Sequence, residues 1–116
     1  MFKFVTIYRQ VNDREALDKF FSGTHLPLAE RLPGLLHREV SHIAGKPGGK
    51  SRFLLMFELY FESQLAFKQA LASPVGEELM LALKPWGEAR IITWFYADSV
   101  AEAMDTPPPL LQAPPE

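Results

Sequence analysis

Three histidines and no cysteine bound the chemistry open to this chain. Without a thiol there is no thiolate nucleophile, no disulfide and no Cys-ligated metal. His25, His37 and His42 include no pair at the i, i+4 spacing that sets two imidazoles on one helix face for a metal. His37 and His42 differ by five, so on an ideal strand they point to opposite faces. Gly48-Gly49 lies between two strand-like runs and does not open a helix, so it is not a phosphate-cradling loop. No serine stands in a nucleophile elbow. The residues therefore predict neither a metal nor an organic cofactor.

His25 is the leading candidate for chemistry. It sits between Gly23 and Pro27, residues that should interrupt a helix. A bend there can aim the ring between helix and sheet, where an imidazole near its titration point moves a proton. The other reading is a ring that braces the bend through a backbone hydrogen bond. Glu58 comes second, as a lone acid inside RFLLMFELYF. Such a carboxylate is either reached by water or buried and paired. Its partner is then His25 or a substrate hydroxyl, or else Arg9, Arg52 or Arg90 as a strand-to-strand bridge. Tyr8, Trp86, Trp94 and Tyr96 could line a cavity with polar tips available, or simply fill a core. The candidate site is His25 as acid/base, with Tyr8, Glu58, Phe21, Leu28 and Trp94 against a substrate.

The elements that must position these residues follow from periodicity. Residues 2–9 (FKFVTIYR) read as a first strand. Asn12, with Glu15 three residues on, predicts a capped helix carrying Ala16, Leu17, Phe20 and Phe21 inward. A bend at 24–26 and a short helix over 27–32 follow, and Pro33-Gly34 ends it. Residues 35–43, 51–61 and 90–96 read as three more strands. Ser63 caps a second long helix, Ser73-Pro74 restarts it, and Lys84-Pro85 stops it. Thr106–Glu116 holds half of the chain's ten prolines and cannot build a core. It is expected either to lie over a partner subunit through Leu110 and Leu111 or to fray. The division predicted is a domain over 1–98 and a Pro-rich tail over 99–116.

The order β-α-β-β-α-β is the split βαβ, ferredoxin-like pattern, an α+β fold with a four-stranded antiparallel sheet. Two helices cover one face of such a sheet. In the third strand Leu54, Met56 and Tyr60 share one face, while Phe53, Leu55, Phe57 and Leu59 share the other. Strands apolar on both faces need cover on both. A second copy of the same sheet is the simplest cover, which predicts a homodimer. The remaining composition is that of an ordinary soluble protein, 47% apolar and 22% charged with a net charge of −2. Twelve basic residues scattered without a cluster predict no nucleic-acid partner. No apolar run reaches the roughly 20 residues that span a bilayer, and MFKFVTIYRQ lacks the form of a signal peptide. The expected setting is the cytoplasm.

The stretch Thr24-His25-Leu26-Pro27-Leu28-Ala29, then Arg31-Leu32-Pro33-Gly34-Leu35, resembles the signature of the EthD-like family of the dimeric α/β-barrel superfamily. Tyr8, the run Phe57-Glu58-Leu59-Tyr60-Phe61 and the run Ala70-Leu71-Ala72-Ser73-Pro74-Val75-Gly76 extend the likeness across residues 2–97. The resemblance implies a ferredoxin-like fold whose two sheets close into a barrel across a dimer. It also implies a link to ethyl tert-butyl ether degradation and, in the wider superfamily, isomerases, cyclases and cofactor-free oxygenases. His25 matches the family's histidine, which implies a functional role. Two classes of function follow. One is an enzyme using His25 on a small aromatic or carbonyl compound. The other is a non-catalytic module that binds a small apolar molecule or merely scaffolds a dimer.

Overall fold

A computed structural model describes residues 1–102. Four strands, β1 (Phe2–Arg9), β2 (His37–His42), β3 (Phe53–Phe61) and β4 (Ile92–Asp98), form one antiparallel sheet in the order β2-β3-β1-β4. The helices are α1 (Arg14–Phe20), α2 (Leu26–Glu30), α3 (Gln64–Ala72) and α4 (Pro74–Glu88). The predicted tail over 106–116 lies outside the described residues. No described helix is long and apolar enough to cross a membrane.

The period-2 alternation of β1 sends Phe2, Phe4, Thr6 and Tyr8 toward the helices. Phe2 and Phe4 meet the Phe67 ring of α3 at 5.3 and 5.2 Å. Opposite them in β3 stand Phe61, Leu59, Phe57 and Leu55, all buried. Leu79 and Leu83 of α4 complete this core and are fully buried. Each such side chain contributes roughly 1.5–3 kcal/mol by leaving water. Two glycines set how closely the pieces approach. At Gly76 a Cβ would stand 2.2 Å from the Ala70 carbonyl oxygen, so only glycine lets α4 start against the end of α3. At Gly87 it would meet the Trp94 ring at 2.5 Å.

The structure corrects several local expectations. Asp13, not Asn12, caps α1, its carboxylate accepting from the Ala16 N–H at 3.0 Å. The chain does not bend at Thr24-His25-Leu26. It continues as a π turn over Phe21–His25 that joins α1 to α2. The Leu26 N–H reaches back five residues to the Phe21 carbonyl, and this wider turn absorbs the missing N–H of Pro27. Pro85 does not stop α4, which runs on to Glu88. Its last turn is pulled onto the core by Trp86, which stacks on Phe20 at 4.6 Å. The fourth strand starts at Ile92 rather than Arg90 because Arg90 has φ 60°, a turn conformation no strand accommodates.

The second sheet face is not apolar throughout. Val5, Ile7, Met56 and Phe95 form an apolar patch, with Phe95 46% exposed. Beside it lies a polar cluster. Lys3 Nζ contacts Glu58 at 2.9 Å, and the Tyr60 hydroxyl donates to Glu39 at 2.8 Å and to Glu58 at 3.3 Å. Polar cover at one end of the face therefore replaces part of the apolar surface expected there. A register shift between Tyr8 and Arg9 also sets Phe53 opposite Arg9.

Candidate active site

His25 owes its place to the π turn. As the turn's last residue it faces the sheet, and its side chain is fully buried. Its ring packs edge-on against Phe57 at 5.0 Å and Phe21 at 5.5 Å, with Phe20 at 6.3 Å. The Nδ1 atom is hydrogen-bonded to the Tyr8 hydroxyl. The Nε2 atom is buried without a hydrogen-bond partner among the described residues.

These surroundings decide the protonation states. Burial in an aromatic cage disfavours charge, and pushes the His25 imidazole down to about 3. Burial likewise raises the Tyr8 phenol well above its ordinary range, so it stays protonated. A protonated phenol has a single proton, and the neutral imidazole offers it the Nδ1 lone pair. The phenol donates to Nδ1, and the ring proton sits on Nε2. His25 is therefore not poised near its titration point, as the sequence suggested. It is a neutral ring presenting an N–H donor.

The other predicted residues divide between the two sides of the sheet. Phe21 touches His25, and Leu28 lies buried three residues further on, over the same core. Glu58 does not approach His25. It lies on the opposite face, and its partners are Lys3 and Tyr60 rather than His25 or any of the three arginines. Hydrogen bonding to Glu39, then burial and the charges of Glu58 and Glu39, hold the Tyr60 phenol above its usual range. Trp94 is on the helix side, but on edge strand β4 against Gly87. There it lines a groove of about 900 Å³ between α4 and β4, together with Leu71, Met80 and Leu81. A smaller cleft of about 320 Å³ lies between α1 and β3, over Phe21 and Leu55. His25 lines neither.

Sequence reasoning missed Phe57 and Phe20 as the cage of His25, and Lys3 as the partner of Glu58. Phe57 was legible only as core. Lys3 becomes visible once the β1–β3 register is known, because it pairs with Tyr60 while Val5 pairs with Glu58. Among the described residues no group of three or more His, Asp or Glu side chains could hold a metal ion.

An antiparallel sheet ordered β2-β3-β1-β4, with its helices on one side, defines the ferredoxin-like α+β class. Within that class the chain is similar to EthD proteins. It is 29% identical to an ethyl tert-butyl ether degradation (EthD) family protein of Bacillus halodurans, covering 86% of this chain and 99% of that one with a TM-score of 0.80. It is also 29% identical over 77 residues to an uncharacterized 11.0 kDa protein of Rhodococcus erythropolis, 66% of this chain and 75% of that one. No family model matches. SnoaB, a cofactor-independent oxygenase of Streptomyces nogalater, shares the fold at 16% identity and a TM-score of 0.59, over 90% of this chain and 97% of that one. So does a dimeric ferredoxin-like protein of unknown function from Jannaschia, at 16% identity and 0.62, over 85% of this chain and all of that one.

Proposed function

We propose that the protein acts on a small aromatic or carbonyl compound, and that the His25 Nε2–H donates to an oxygen on which negative charge develops. The carrying observation is the buried, unpartnered Nε2 of a ring locked by Tyr8. A buried donor left unmatched costs about 1–3 kcal/mol, a cost met when a ligand oxygen arrives. A neutral imidazole donates as effectively as other oxyanion-stabilising groups and keeps the same charge between pH 5 and 8. Enolate-forming isomerisation, cyclisation and cofactor-free oxygenation all need such a donor. The fold shared with a cofactor-independent oxygenase supports this range of reactions. With a substrate in hand, His25→Ala should lower turnover by about two orders of magnitude, the usual effect of losing one such donor. Wild-type turnover in that variant ends the reading.

A second reading has its own observation. His25 is closed off, with no exposed surface. The protein is then a small-molecule-binding or scaffolding module, and a bound compound is retained by His25→Ala and never converted by the wild type.

We further propose a homodimer in which a second copy covers Ile7, Met56 and Phe95. A dimeric protein of the same fold supports it. Light scattering at micromolar concentration should give twice the chain mass, and a monomeric mass would contradict the assembly.

A further inference from the structure

We infer that the cleft between α1 and β3 is the entrance and holding site for the ligand, and that the Phe21 ring is the partition separating it from His25. The inference rests on the proposed role of His25 and adds the route and the shape of the ligand. Phe21 lines the cleft, and its ring centroid lies 5.5 Å from that of the imidazole. It meets the His25 ring edge-on at 83° and the Phe57 ring at 89°, so the three rings form one wall. On the cleft side Leu17, Leu54 and Leu55 give an apolar floor. Arg14, Asp18 and His42 stand at its mouth. Arg14 Nε is held by Asp18 at 3.2 Å, which fixes the guanidinium at the rim.

The volume, about 320 Å³, suits a compound of one ring. A flat ring can take the place of the Phe21 ring against Phe57 once Phe21 turns aside. Its oxygen then meets the Nε2–H, and a polar substituent at the other end stays by Arg14 and His42. Phe21 begins the π turn, the one stretch where the helix departs from α geometry. The ligand class is therefore a monocyclic aromatic ketone or phenol, with room for an acidic group at the rim. The large groove beside Trp94 takes no part, because it shares no residue with the His25 cage.

The test uses the full chain and diethyl pyrocarbonate, which acylates accessible neutral imidazoles, with modification read by mass spectrometry. In the wild type His37 and His42, both exposed, should react and His25 should stay protected. Phe21→Ala joins the cleft to the cage, so that entering water can exchange the ring proton and free a ring lone pair, and should make His25 react at least about tenfold faster. Phe21→Leu, a milder change that keeps the floor filled, should give an intermediate rate. Leu79→Ala, a comparable loss in the core on α4, should leave His25 protected. Acetophenone should slow the His25 reaction in Phe21→Ala and leave His37 unchanged. Continued protection of His25 in both folded Phe21 variants overturns the route, as does equal exposure in Leu79→Ala. If His25→Ala still abolishes turnover while the route fails, the chemistry stands and only the entrance is wrong.

Discussion

The two faces of the sheet each hold a titratable pair built on β1, and treat them in opposite ways. On the helix side Tyr8 and His25 meet in an aromatic cage, and both are neutral. On the other side Lys3 and Glu58 meet at 2.9 Å beside Tyr60 and Glu39, with the Lys3 side chain 26% exposed. Alternation along β1 and β3 produces the contrast, since each residue step reverses the face. Water reaches one pair and not the other. The lesson is that a polar group in an apolar strand is assigned its chemistry by the face it falls on.

The contrast can be broken most strongly at the cage itself. Phe57→Ala removes the ring that backs His25 and should cost about 3–5 kcal/mol in chemical denaturation. A cost below about 1 kcal/mol would show that the cage is not packed as described.

Acid should sharpen the comparison next. His25 is held down to about 3 in the folded protein, below the roughly 6.5 of an unfolded imidazole. The unfolded chain therefore binds the extra proton. Stability from this group is full above about pH 6.5 and falls by about 1.4 kcal/mol per unit as pH drops toward the folded value. Denaturation curves at pH 7, 6 and 5 should converge between wild type and His25→Gln, which cannot titrate. Parallel curves would mean that His25 is solvated.

Tyr8→Phe keeps the packing and strips Nδ1 of its partner. It should cost about 1–3 kcal/mol, the price of an unmatched buried group. The imidazole signals in a nitrogen-15 NMR spectrum should shift at the same time, and unchanged signals would deny the hydrogen bond. The smallest effect belongs to the wet face. Glu58→Gln should change stability by no more than about 1 kcal/mol, with the difference shrinking in high salt. A larger, salt-insensitive loss would place Glu58 in a dry interface instead.

His25 shows how far the sequence carried. Its type, its lone position beside Gly23 and Pro27 and its place in a stretch that resembles the EthD-like signature singled it out before any coordinates. The four strands, the long helices and the caps at Ser63 and Ser73 were legible too, because periodicity and capping are properties of neighbours along the chain. The π turn was not, because glycine and proline announce a break without saying how the backbone absorbs it.

The state of each site was decided only by the fold. Glu58 was readable as an acid that needed a partner, but naming Lys3 took the register between β1 and β3. His25 was readable as an imidazole, but its neutrality came from Phe57, Phe21 and Tyr8, which lie on other elements or earlier in the turn. Residue type and local spacing are written in the chain itself. Desolvation and pairing depend on residues brought together from distant positions, and they exist only once the sheet and its helices have closed around them.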